Sequence, residues 1–170
     1  GINEQFITGN GSDKDKFMNW AKTVPYTMRN PLYHWTHLEL ARYFDINELL
    51  NEKSAERIYE QASAKVNSAE FSTQNLLRKV NAEFVCTTED PIDNLEFHQK
   101  LAKSNFEVKV STAFRPDKAI LISNDGYNNY IDTLGQVAGV EINTLSDLCS
   151  ALRNRIDYFD KNGSKLSDHG

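Results

Sequence analysis

Arg115 is the residue whose type and neighbours point most directly to chemistry. It precedes Pro116, which biases its backbone toward an extended form and so aims the side chain. A guanidinium suits two-point recognition of a carboxylate. Arg115 is therefore either a grip for an acidic ligand or half of an ion pair with Asp117 or Glu89. Asp168 and His169 form a second polar site. Being adjacent, they point to opposite faces along a strand, so at most one faces inward unless the strand has already ended. Thr87 and Thr88 suit a turn or a ligand contact equally, and Asp90 before Pro91 has the form of a helix cap. His34 and His37 are three apart and share a helical face, a spacing compatible with a metal. The stronger signal, a four-residue spacing with a nearby acid, is absent, and Pro31 and Trp35 beside them favour packing. No glycine-rich phosphate loop, nucleophile elbow or cysteine-pair zinc motif occurs.

Such groups act together only if a scaffold brings them to one edge. The first half of the chain reads as helical. Ser12 and Asp15 resemble a capping box ahead of Phe17, Trp20, Ala21 and Val24 at helical spacing, and Pro25 is expected to stop that helix. Asn30-Pro31 opens a second helix through Leu32, Trp35, Leu38 and Ala41 toward Phe44. A third spans 54–65 and a short fourth follows Ser72. After Asn81 the pattern changes. Strands are predicted over 82–87, 106–110 and 164–168, with a helix from Asp90-Pro91, one from Tyr127 to near Gly139, and one capped by Thr144. In that last helix Leu145, Leu148, Leu152, Ile156 and Phe159 form the expected apolar stripe, and Gly163 is the expected left-handed terminator.

The second half is thus β-α-β-α-α-β, which implies a parallel sheet whose ligands lie beyond the carboxyl ends of the strands. Three strands are too few for a closed barrel. The expected fold class is α/β, a partial (β/α)8 barrel preceded by a helical insertion, with domains at 1–80 and 81–170. A chain that reaches its end on a strand, with no later element to cover it, reads as a piece of a longer polypeptide.

Composition narrows the function classes. Of 170 residues, 39% are hydrophobic and 25% charged, and 19 basic against 24 acidic residues leave a net charge of −5. That is an ordinary globular composition with no basic run, which argues against nucleic-acid and anionic-membrane partners. No apolar stretch has the length of a membrane helix and no signal peptide is evident, so a cytoplasmic protein is expected. Cys86 and Cys149 sit in apolar patterns and are expected to be small buried side chains in a reducing compartment.

Four stretches taken together resemble the uronate isomerases, the glucuronate isomerase branch of the amidohydrolase superfamily. They run from Asn30 to Leu40 (NPLYHWTHLEL), Thr87 to Asp93 (TTEDPID), Phe114 to Ala119 (FRPDKA) and Ser167 to Gly170 (SDHG). The resemblance implies an eight-stranded barrel with a helical insertion after its first strand, the strands here being the second to fourth. It implies interconversion of D-glucuronate with D-fructuronate, and of D-galacturonate with D-tagaturonate, in sugar-acid catabolism. A proton would move between C2 and C1 through an enediol near a divalent metal such as zinc. The implied metal ligands, a His-x-His pair on the first strand and an Asp on the eighth, have no counterpart in this sequence, so no metal is expected on this segment and it should be inactive alone. A homo-oligomer acting on a small sugar acid is also implied. By its motif Arg115 should grip the uronate carboxylate, and Asp168 and His169 should approach the sugar. Tyr33, His34 and Trp35 belong to a signature of the insertion, where packing or shaping of the cavity mouth is expected. The alternatives are a metal-dependent hydrolase on the same barrel, or a non-catalytic α/β interaction module.

Overall fold

The computed structural model describes residues 1–170 and divides into two compact units, Gly1–Leu76 and Leu77–Gly170. The first unit is helical. Helix α1 (Asp13–Thr23) starts where the Ser12 side chain accepts the Asp15 N–H. Pro25 does not simply end it: the chain tightens into a 3-10 turn over Val24–Thr27, with the proline in its first turn. A missing N–H costs nothing there, because the first donors of a helix lack intrahelical acceptors anyway. Helix α2 (Pro31–Phe44) is capped by Asn30, whose side chain accepts the Leu32 N–H, and it ends at left-handed Asp45 with φ of 57°. Helix α3 (Ala55–Val66) lacks a side-chain cap. The Ser54 hydroxyl instead closes the preceding loop, accepting the Asn51 N–H at 3.0 Å and donating to the Leu49 carbonyl at 2.8 Å. The short helix α4 (Thr73–Lys79) carries the chain out of this unit. Ala21, Val24, Leu40, Ile46, Leu50, Ala55 and Ile58 form the core.

The second unit contains strands β1 (Phe84–Glu89), β2 (Lys109–Phe114) and β3 (Leu166–Ser167) and helices α5 (Glu96–Ala102), α6 (Tyr127–Ala138) and α7 (Leu145–Lys161). The strands pair in parallel in the order β1-β2-β3. β1 and β2 lie further along the chain than the expected 82–87 and 106–110, and β3 lies within the expected 164–168. Hydrogen bonding selects β2's run Ser111-Thr112-Ala113-Phe114, buried on both faces, over the alternating Phe106–Val110. The last strand shrinks to two residues because Ser164 is already buried, its hydroxyl donating to the Thr112 carbonyl at 2.6 Å.

Three further expectations need correction. Asp90-Pro91 does not open a helix. Asp90 Oδ1 accepts the Ile92 N–H at 3.2 Å in a side-chain-closed turn, and α5 begins only after left-handed Leu95. Cys86 and Cys149 are exposed and free, not buried. Cys149 follows buried Leu148 on α7, and one residue along a helix rotates a side chain by about 100°. The α7 stripe is rotated as well: Leu148, Ala151, Arg155 and Phe159 are buried, whereas Leu145 and Ile156 are exposed. Its capping box of Thr144 with Asp147 and the terminator Gly163, at φ of 91°, form as expected. Phe114 and Phe159 meet edge to face at 5.0 Å, fixing α7 against β2. No helix is long and apolar enough to cross a membrane.

Candidate strand-end site

Parallel pairing brings the carboxyl ends of all three strands to one edge. Register then decides which side chains share a face. Thr88 lies opposite Ala113, and Ala113 opposite Leu166. Arg115 and Asp168 each lie two residues beyond the latter pair, so Thr88, Arg115 and Asp168 project from the same side. Backbone bonds carry the ladder past the strands, from the Arg115 N–H to the Glu89 carbonyl and from the Asp168 N–H to the Phe114 carbonyl, both 3.0 Å.

The three side chains converge on one carboxylate. Asp168 Oδ2 accepts from Arg115 Nη2 and, at 3.2 Å, from the Thr88 hydroxyl. The Arg115 hydrogen bond, with a smaller contribution from Thr88, holds the Asp168 carboxyl below the usual carboxylate range. Arg115 remains 42% exposed, and its Nε is buried with no hydrogen-bond partner. The nearest acid on that side, Asp117 Oδ2, stands 4.0 Å away. Asp117 is engaged elsewhere: its Oδ1 lies 3.2 Å from His169 Nδ1, and its Oδ2 accepts the Gly170 N–H at 2.7 Å. Arg115, Asp168 and His169 are thus brought together. His169 joins them, although it is adjacent to Asp168, because β3 has already ended at Ser167. Glu89 is not the side-chain partner of Arg115. Its carboxylate turns toward His98 of α5, 3.7 Å away, where His98 also meets Thr87 Oγ1 at 2.8 Å.

A second polar cluster lies beside the first. Asp90 Oδ1 accepts from the Tyr130 hydroxyl at 2.9 Å, and its Oδ2 pairs with Lys118 Nζ at 3.2 Å. Burial first, then the bond to Asp90, pushes the Tyr130 hydroxyl far above its ordinary range. Beneath this cluster Arg155, 7% exposed, donates from Nε to the Pro91 carbonyl at 2.6 Å and from Nη2 to the Asp93 carbonyl at 2.8 Å. Desolvation lowers its pKa, and its guanidinium stacks 4.2 Å from the Tyr158 ring centroid. Sequence reasoning missed His98, Tyr130 and Arg155. Only Arg155 carries a signal, lying at helical spacing from Ala151 and Phe159 on a stripe that is otherwise apolar.

In the helical unit His37 is structural. Its Nε2 accepts the Leu50 N–H at 3.0 Å, so its Nδ1 carries the proton and donates to the Tyr33 carbonyl at 2.7 Å. Both ring nitrogens are engaged, which removes the His34–His37 pair as a metal site.

A family model described as glucuronate isomerase matches residues 1–170. The chain belongs to the glucuronate isomerase family. The uronate isomerase of Flavobacterium johnsoniae is 75% identical over 170 residues, which is 100% of this chain and 36% of that protein. The Bacillus pumilus uronate isomerase is 48% identical over 169 residues, 99% of this chain and 35% of that one. The crystal structure of uronate isomerase from Thermotoga maritima superposes with a TM-score of 0.92 at 36% identity, covering 99% of this chain and 37% of that chain. Glucuronate isomerase from Caulobacter crescentus gives 0.87 at 23% identity, over 95% of this chain and 34% of that one, a likeness of fold. The chain therefore spans about a third of the length of its relatives, and its three parallel strands are an arc of the family's (β/α)8 barrel. The family is metal-dependent in general terms. Within this chain His37 is fully engaged, and no group of three His, Cys, Asp or Glu side chains is placed to hold a metal ion.

Proposed function

We propose that this chain supplies the carboxylate-recognition corner of a uronate isomerase, with Arg115 gripping the substrate acid and Asp168 and His169 facing the sugar hydroxyls. The observation that supports this most is the half-exposed Arg115 guanidinium at the barrel mouth. Asp168 engages it through one nitrogen, so further N–H donors remain for a guest carboxylate. The reaction proposed for the full-length protein interconverts D-glucuronate with D-fructuronate, and D-galacturonate with D-tagaturonate, moving a proton between C2 and C1 through an enediol. The carboxylate is at the opposite end of the sugar from those carbons. Holding it uses binding energy from an unreacting group to orient the reacting one. The metal implied for the family, with zinc as the proposed ion, would be held by residues outside this chain. A cytoplasmic homo-oligomer completes the reading, consistent with a chain that has no membrane-length apolar helix.

Arg115→Ala in the full-length enzyme tests it. Charge-assisted hydrogen bonds contribute about 1.5–3 kcal/mol each. Their loss should lower kcat/KM on uronates by roughly one to three orders of magnitude, at ~1.4 kcal/mol per tenfold. Arg115→Lys should restore only part of this, since a point charge cannot reproduce the planar fork. Metal content should stay unchanged in both variants. Undiminished kcat/KM in the folded, metal-loaded Arg115→Ala protein would reduce Arg115 to a structural ion-pair partner of Asp168.

A further inference from the structure

We infer that Asp117 is a positioning residue that fixes the ring of His169 in one tautomer and sets it beside Arg115, so that two neighbouring strand ends present their groups as one unit. The inference rests on the uronate isomerase reading for its substrate and on the geometry for everything else. Asp117 follows β2 by three residues and is mostly buried, with its side chain 23% exposed. Its two oxygens reach across to the segment after β3. Oδ1 faces His169 Nδ1 at 3.2 Å, and Oδ2 accepts the Gly170 N–H at 2.7 Å.

An ionised carboxylate only accepts hydrogen bonds, so the imidazole nitrogen opposite it must carry the proton. In the neutral ring Nε2 is then left as an acceptor on a side chain that is 61% exposed. That suits the hydroxyl of a sugar as donor. The bond to the Gly170 N–H removes the freedom that would let the carboxylate swing away. Glycine permits this approach, since a Cβ at position 170 would lie 3.1 Å from Asp117 Oδ2. The same oxygen stands 4.0 Å from Arg115 Nε, too far for a hydrogen bond, so the bonded partners of Asp117 are His169 and the Gly170 N–H. Asp117 thus spans the β2 and β3 ends, while Asp168, which also accepts from the Thr88 hydroxyl, holds Arg115 through Nη2.

A residue acting through His169 makes a prediction that a merely structural one does not. In the full-length enzyme, Asp117→Asn and His169→Gln should each lower kcat/KM by about 10–100-fold, the size of effect expected when a hydrogen bond to a charged or otherwise unpaired partner is lost. Asn keeps the size of the side chain but replaces one accepting oxygen with an NH2 donor, which opposes either the Gly170 N–H or the His169 Nδ1–H. The double variant should be no worse than His169→Gln alone, because Asp117 has nothing left to orient. Effects that multiply in the double variant would overturn the inference.

Nitrogen-15 spectra of histidine-labelled enzyme supply a readout that needs no turnover. His169 should be protonated at Nδ1 in the wild type and become a mixture of tautomers in Asp117→Asn. A wild-type ring protonated at Nε2 would overturn the inference whatever the kinetics. A wild-type enzyme inert toward uronates, with the ring still protonated at Nδ1, would sink the proposed substrate and leave the positioning role standing.

Discussion

Two acidic clusters sit side by side at the strand ends, and they differ in how completely they are closed. Asp90 is 15% exposed at its side chain, and Lys118, Tyr130 and the Ile92 N–H all donate to it from within the protein. Asp168 is 38% exposed, and its partner Arg115 is 42% exposed and engages it through Nη2 alone. Closed polar networks of the first kind hold a loop in place, here the segment between β1 and α5 that Arg155 and Tyr158 also bind from beneath. Open ones, with donors left over, are where a ligand can add its own groups. Both clusters are rich in charge and follow a strand. Residue type alone does not separate them, but the count of satisfied atoms does.

The sharpest way to break this contrast is Arg155→Met. If the Asp90 side is scaffold, removing the guanidinium leaves the Pro91 and Asp93 carbonyls without their donor, at about 1–3 kcal/mol for each buried group. The thermal midpoint of the full-length protein should fall markedly, and kcat/KM of the folded fraction should change far less than in Arg115→Ala. A variant of unaltered midpoint and collapsed turnover would reverse the assignment of the two clusters.

A gentler probe of the same cluster is Tyr130→Phe. It deletes one hydrogen bond to Asp90 while Lys118 and the Ile92 N–H remain. A loss of about 0.5–1.5 kcal/mol in stability is expected, with unchanged kinetics on uronates. A change of KM comparable to that of Arg115→Lys would show that the closed cluster also reaches the ligand.

The smallest effect concerns acid. The native Asp168 carboxyl lies below its ordinary range because Arg115 bonds to its charged form. A depressed native pKa contributes stability that is fully present above the unfolded value of about 3.9 and fades as the pH falls through the native value. The difference in thermal midpoint between wild type and Arg115→Ala should therefore narrow with acidification in that window. High salt should narrow it too, since the pair is partly exposed. A difference that widens toward acid would mean that Asp168 is not held by Arg115.

Much of this was legible in the residues themselves. Ser12, Asn30 and Thr144 mark helix starts because the short polar side chain that satisfies a free N–H is local, needing no partner from afar. Arg115 before Pro116 and the parallel βα alternation placed a guanidinium at a strand end. The four motif stretches identify the family. Where the sequence misled, the deciding contact was distant. Strand limits moved because pairing, not alternation, chooses register. Cys86 came out exposed on a strand whose sequence pattern suggested burial. Arg155 went inside, at a position where charge argued for solvent, because loop carbonyls more than sixty residues earlier were waiting for donors. The meeting of Thr88, Arg115 and Asp168 on one face followed the same logic. Each residue type could be read in isolation, but their shared side depends on a ladder formed between segments far apart in the chain, and only tertiary structure fixes that.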